Sequence, residues 1–135
     1  MTGLPFNYQI ETERCRLRVP LEADLPWIFD ASREPGFCDG MAWEPPVRLE
    51  ELIPPFHRHI EAWRSGLEFN FTIVRKSDDA LLGRVGIRRT DGPNAWNIGY
   101  WLHREHRGQG FMTEAAKALL QFGFQVLSAD RIEAC

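Results

Sequence analysis

Cysteine is scarce in this chain, and its three copies form no framework. Cys15, Cys38 and Cys135 are odd in number and far apart, which excludes a disulfide-stapled scaffold and fits free thiols in a reducing, cytoplasmic compartment. Long apolar runs are missing too. No stretch approaches the roughly 20 residues that cross a bilayer, and Met1-Thr2-Gly3-Leu4-Pro5 has neither the basic start nor the apolar core of a secretion signal. No membrane association is expected. There is no basic surplus: the net charge is −3, which argues against a nucleic-acid partner but not against a small anion held by a local basic patch. Metal-ligand spacing is also lacking. His57 and His59 lie two apart and would leave a helix on different faces, so both read as surface histidines and no metal is expected. The chain has no repeat, low-complexity tract or linker. Its 135 residues are enough for one hydrophobic core and too few for two.

The pattern that is present reads as alternating strands and helices. Cys15 to Val19 alternates with period two, as a half-buried strand does. Asp24 stands two residues before Pro26, the arrangement of an N-cap and an early helical proline, with the helix running through Trp27, Ile28, Phe29 and Ala31. After a Gly-, Pro- and aromatic-rich loop from Gly36 to Pro46, a second helix is expected from about Val47. Leu49, Leu52, Ile53, Phe56, Ile60 and Trp63 make its apolar face, Pro54-Pro55 should break or kink it, and Gly66 should stop it. Phe69 to Val74, Leu81 to Arg89 and Ala95 to Leu102 read as an antiparallel meander, with turns at Ser77-Asp78-Asp79 and Asp91-Gly92-Pro93-Asn94. Met112, Ala115, Ala116, Leu119, Leu120, Gly123, Val126 and Leu127 share one face of a long last helix. Arg131 to Cys135 begins a fifth strand. Strand, two helices, three strands, helix, strand is an α+β order.

The chemistry concentrates where the fourth strand meets the last helix. Arg107-Gly108-Gln109-Gly110 lies between them. Glycines let a backbone approach phosphates closely and reach positive φ, while the first amides of a helix point outward without partners and favour an anion. His103, Arg104, His106 and Arg107 add local positive charge. Two glycines alone also describe a plain strand-to-helix turn. The loop lacks the third glycine of a dinucleotide fingerprint and the Lys-Ser/Thr of a nucleotidase phosphate loop.

Asn97-Ile98-Gly99-Tyr100-Trp101-Leu102 followed by Arg107-Gly108-Gln109-Gly110-Phe111-Met112-Thr113-Glu114-Ala115 resembles motif A of the GNAT acetyltransferase superfamily. It is most similar to the branch that acetylates ribosomal-protein N-termini and related small amines. Thr12 to Arg18 resembles that branch's opening strand, and Leu81-Leu82-Gly83-Arg84-Val85-Gly86 its third. The resemblance implies a GNAT fold, a mixed and mostly antiparallel sheet flanked by helices, and acetyl-CoA as cosubstrate. It implies backbone amides of Gly108, Gln109, Gly110, Phe111 and Met112 on the pyrophosphate, with Arg107 and Thr113 as side-chain helpers. The strand edge at Tyr100, Trp101 and Leu102 would run along the pantetheine arm, where the fourth and fifth strands splay.

The acceptor would be a small-molecule or peptide amine. The resemblance puts Asn97 on the acceptor side, and Trp43 in a loop that either walls the acceptor site or plugs the core. Two positions depart from the family. Glu105 stands where Gln or Arg is common, and is expected to face away from the phosphates. Asn97 stands where many members carry Glu, and an amide cannot take a proton, so no catalytic residue is assigned. Glu114 reads as a complement to the helix dipole. A catalytically inactive CoA-binding or interaction domain of the same fold is the alternative reading. The family fold continues with a further helix and two strands, so the resemblance implies a single domain over residues 1–135, incomplete at its C-terminus. Its open sheet edge could then pair with a second copy.

Overall fold

The computed structural model describes residues 3–34 and 46–134. Its strands follow one another across a single sheet in chain order: β1 (Gln9–Glu11), β2 (Cys15–Arg18), β3 (Glu68–Arg75), β4 (Leu81–Arg89), β5 (Ala95–Leu102) and β6 (Arg131–Ala134). All neighbours are antiparallel except β5 and β6. That parallel pair needs a crossover, supplied by helix α3 (Phe111–Gln125). Helices α1 (Leu25–Ser32) and α2 (Ile53–Ser65) lie between β2 and β3 in sequence. No described helix is long and apolar enough to cross a membrane.

β4 and β5 match the expected bounds. β1 is an addition, since three residues are too few for a periodic signal and pairing with β2 creates the strand. β2 stops at Arg18, one residue before its expected end, because Val19 precedes Pro20, which has no N–H to donate.

Three helix expectations need correction. Asp24 sits where an N-cap would, but its side chain makes no cap bond. Its carboxylate accepts instead from both terminal nitrogens of Arg18 at 3.0 and 2.9 Å, from the Leu21 amide at 2.9 Å and from Thr72 Oγ1 at 3.0 Å, so it staples β2 and β3 to the start of α1. The second helix does not begin at Val47. Leu49–Leu52 form a 3₁₀ turn and α2 starts at Ile53. Pro54 and Pro55 then fall in its first turn, where amides have no intrahelical partner anyway, so they open the helix rather than break it. Gly66 closes it with φ 79°.

α3 buries a narrower stripe than expected: Phe111, Ala115, Leu119, Phe122 and Gly123. Leu120 and Val126 are exposed. Phe122 takes their place and sits edge-on to Phe69 and Phe71.

Period two splits the sheet's faces. Leu17, Phe69, Phe71, Val85, Ile87, Trp96 and Ile98 join α3 in the main core. The opposite face carries Arg18, Glu68, Asn70, Thr72, Arg84, Gly86, Arg88, Asn97, Gly99 and Trp101. Leu25, Ile28 and Leu52, with Trp27 and Phe56 beside them, form a second apolar cluster that reaches Trp101. Cys15 is a buried free thiol whose pKa burial pushes up, with Glu114 adding to the rise. Cys38 and Cys135 lie outside the described residues.

Candidate active site

A cavity of about 360 Å³ opens on the face away from α3, walled by α1 and the start of α2. Strand register builds its floor in rows. Thr72, Arg84 and Trp101 are opposed across β3, β4 and β5; so are Asn70, Gly86 and Gly99; so are Glu68, Arg88 and Asn97. The middle row makes the depression, because two of its three positions have no side chain. A Cβ on Gly86 would lie 2.2 Å from Asn70 Oδ1, whereas a Cβ on Gly99 would meet nothing within 4 Å. Trp27 of α1 stacks on Trp101 with ring centres 5.3 Å apart and braces that lining residue.

The polar lining is charged. His59 is not a surface residue as expected: it reaches from α2 into the cavity. Its Nδ1 lies 2.8 Å from the Asn70 amide nitrogen and 3.2 Å from Glu68 Oε1. With Nδ1 bare, the amide donates to it; with Nδ1 protonated, it donates to Glu68. When Nδ1 is protonated and bonded to Glu68, Nε2 is the bare ring nitrogen that can accept a proton. Burial pushes the Glu68 pKa up, but the His59 hydrogen bond and the charges of His59 and Arg88 outweigh it, so the carboxyl titrates below its usual range.

Arg84 rises from the floor with the opposite charge. Burial pushes its guanidinium down to about 10, against the pull of Asp24 and Glu68, so it stays cationic at neutral pH.

At the far end of β5 the loop from His103 leads into α3. Gly108 and Gly110 take φ 76° and 82°, a region that favours glycine. The first α3-side amide with a backbone acceptor is Glu114, which donates to Gly110 O at 3.1 Å. Among the described residues, the amides from Gly108 to Thr113 donate to no protein acceptor. Successive unpartnered amides at a helix start make an anion nest. Nothing lies within 4 Å of where a Gly108 Cβ would stand, so the approach is open. These features fit a pyrophosphate.

Side chains brace this nest. Arg107 Nε donates to Leu102 O at 3.1 Å, and Gln109 Nε2 to Glu105 O at 3.3 Å. Arg14, from the β1–β2 turn, donates to Gln109 O at 3.0 Å and to Glu114 at 2.8 Å, and lies over the Phe111 ring. Glu114 does more than complement the dipole. It also accepts from Thr12 Oγ1 and, at 2.8 Å, from the Arg14 amide. His59 and Glu68 lie in no motif, and although Thr12, Arg14 and Arg84 lie in stretches that resemble the family, only the fold brings all five to these sites.

The expected site residues divide between the two places. Asn97, Tyr100 and Trp101 line the cavity. Leu102 ends β5, and Arg107, Gly108, Gln109, Gly110, Phe111, Met112 and Thr113 form the loop and helix start. β6 pairs with β5 over Ala95–Ile98, and Gly99–Leu102 pair with β4 on the other side. Glu105 is exposed. Trp43 lies outside the described residues.

Comparison with known proteins agrees with this geometry. The acetyltransferase (GNAT) domain family matches residues 14–135. An uncharacterized N-acetyltransferase p20 of Bacillus licheniformis is 42% identical over 65 residues, covering 47% of this chain and 36% of the relative. The putative ribosomal N-acetyltransferase YdaF of Bacillus subtilis is 30% identical over 110 residues, 81% of this chain and 53% of the relative. The matched stretch spans little more than a third of the length of p20 and about half that of YdaF. Among solved structures, a putative ribosomal-protein-serine acetyltransferase from Vibrio cholerae superposes with TM-score 0.84 at 22% identity, covering 97% of this chain and 75% of that one. RimL, a ribosomal L7/L12 alpha-N-protein acetyltransferase in complex with coenzyme A, gives 0.80 at 20% identity, covering 93% and 72%. At such identities these structures speak to the fold.

Proposed function

This chain belongs to the acetyltransferase (GNAT) family, and from that premise we propose that it transfers an acetyl group from acetyl-CoA to a primary amine lying in the cavity. The observation that carries the reading is the placement of two sites on one strand. β5 floors the cavity with Asn97 and Gly99, and its far end leads into the amide nest at 108–113. A donor anchored by its phosphates at the nest would run along Tyr100, Trp101 and Leu102 towards the acceptor.

Acetyl-CoA supplies an activated thioester carbonyl, whose C–S bond would break as the C–N bond forms, CoA leaving as the thiol with the amine's second proton. The chain's own residues bind, orient and deprotonate. Gly108 to Thr113 hold the pyrophosphate through their amides, with Arg107 and Arg14 adding charge. Asn97 orients the amine. An ammonium cannot attack a carbonyl, so its proton must leave first. His59, with Nδ1–H donating to Glu68, accepts it at Nε2 directly or through a water, and Glu68 stabilises the imidazolium. Positioning supplies the rest of the acceleration.

Free-CoA release with a panel of amines tests transfer, and calorimetry tests the nest. Gly110→Val puts a branched side chain at φ 82° and crowds Arg14 Nη2, which is 3.3 Å from the Cβ position. Acetyl-CoA affinity should fall about tenfold or more, roughly 1.4 kcal/mol per decade. His59→Gln should lower kcat/KM and remove the acidic limb of its pH profile, while Asn97→Ala should raise the acceptor KM without moving that limb. Unchanged acetyl-CoA affinity in a folded Gly110→Val protein would contradict the nest assignment.

A further inference from the structure

Charge on the cavity floor does not balance. Among the described residues, Arg18, Arg84 and Arg88 face two carboxylates, Asp24 and Glu68. Asp24 is saturated by Arg18, Leu21 and Thr72. Glu68 is engaged by His59 and stands on the Arg88–Asn97 row, four residues of β4 away from Arg84. Arg84, half-buried in the cavity floor, makes no hydrogen bond or ion pair with any described residue, and Asp24 and Glu68 act on it only through space. A guanidinium partly withdrawn from water with no contact partner is costly, and protein sites normally pair it. Its planar fork matches a carboxylate through two parallel hydrogen bonds.

The cavity is thus polarised along the strand direction. One end carries the unpaired cation of Arg84 beside Trp101. The other carries the Glu68 carboxylate, with His59 and Asn97, and the Gly86–Gly99 depression lies between. Resting on the acetyltransferase reading above, we propose that the acceptor is an amine that itself carries a carboxylate, bound with the carboxylate on Arg84 and the ammonium towards Glu68, His59 and Asn97. A free amino acid satisfies this chemistry, and so does a peptide N-terminus with an acidic side chain close behind it. A polyamine does not, because its second cation would lie against Arg84.

Matched acceptors test this on the wild-type chain without any substitution. Each carboxylate is compared with its neutral amide: β-alanine with its amide, and short peptides with Asp or Glu at the second position against Asn or Gln. Binding is read by calorimetry and turnover by free-CoA release. The acid of at least one pair should bind, and be acetylated, about tenfold or more better than its amide, as expected for one charged bidentate contact. The β-alanine pair and the peptide pairs report separately which source of carboxylate is used. Arg84→Met keeps an unbranched apolar stem and removes the charged head, and should bring the two members of each pair within about threefold. Acetylation of amines with no preference for the acid in any pair, or with polyamines preferred, would overturn this inference and leave the transferase reading intact. Tighter binding of the acid that Arg84→Met abolishes, with no turnover of any amine, would uphold it and sink the transferase reading instead.

Discussion

Asp24 shows how one side chain can hold several elements. Four hydrogen bonds converge on its carboxylate, from β2, from the turn before α1 and from β3. Burial alone would push its pKa up, but the bonds from Arg18, Leu21 and Thr72 more than offset this, and the carboxyl titrates below its ordinary range. A folded-state pKa below the unfolded value means stability that is present above about pH 4 and lost as pH falls through the folded value. Asp24→Asn should therefore cost about 3–5 kcal/mol at pH 7, since it leaves Arg18 buried without its counter-charge. The cost should be smaller at pH 3, where the wild type has begun to lose the same contribution. Urea titrations at the two pH values measure it, and an equal loss at both would show that the ion pair is not the cause.

At the scale of elements, the joint between the β1–β2 turn and α3 matters most for the phosphate nest. Glu114 ties Thr12 and Arg14 to the first turn of the helix, and Arg14 in turn holds Gln109 O. A carboxylate that only complemented the helix dipole would contribute about 0.3–1 kcal/mol, and Thr12→Val would then lose only its bonds to the Cys15 backbone and leave acetyl-CoA binding unchanged. The observed joint leads to a different expectation. Glu114→Ala should cost about 1–2 kcal/mol, discounted for its partial exposure, and should weaken acetyl-CoA binding several-fold. Thr12→Val should reproduce part of both effects. Thermal melts and calorimetry on the two variants separate the cases.

This joint also marks the limit of what local sequence conveys. β4 was legible because it lies between the Ser77-Asp78-Asp79 and Asp91-Gly92-Pro93-Asn94 turns, and β5 because it follows the second of them, since turn and strand signals act within a few residues. The nest was legible because glycines and helix start adjoin in sequence. Thr12 meets Glu114 across 102 residues, and Asp24 meets Thr72 across 48. His59 reaches Glu68 and Asn70 only because α2 turns back over β3. No propensity encodes such pairs, so Asp24 read as a cap, Glu114 as a dipole complement and His59 as surface.

Across the whole molecule, the sheet separates support from chemistry. One face is packed by α3 around Phe69, Phe71, Phe122 and Leu119. The other holds the cavity, and β5 links it to the nest. Changing the cavity's volume without touching core or nest should therefore affect the acceptor alone. Gly99 permits this, because a Cβ there meets nothing within 4 Å and a branched residue suits a strand. Gly99→Val should keep the melting temperature within about 3 °C, as expected of a change of under 1 kcal/mol. It should leave acetyl-CoA affinity within about threefold and raise the acceptor KM about tenfold or more, the signature of lost ground-state binding. Gly86→Ala gives the contrast. Its Cβ would lie 2.2 Å from Asn70 Oδ1, so Asn70 must move away from His59, and the loss should appear in kcat as well. If Gly99→Val acetylates amines with an unchanged KM, the amine does not lie over the Gly86–Gly99 depression, and the acceptor must be sought on another surface of the sheet.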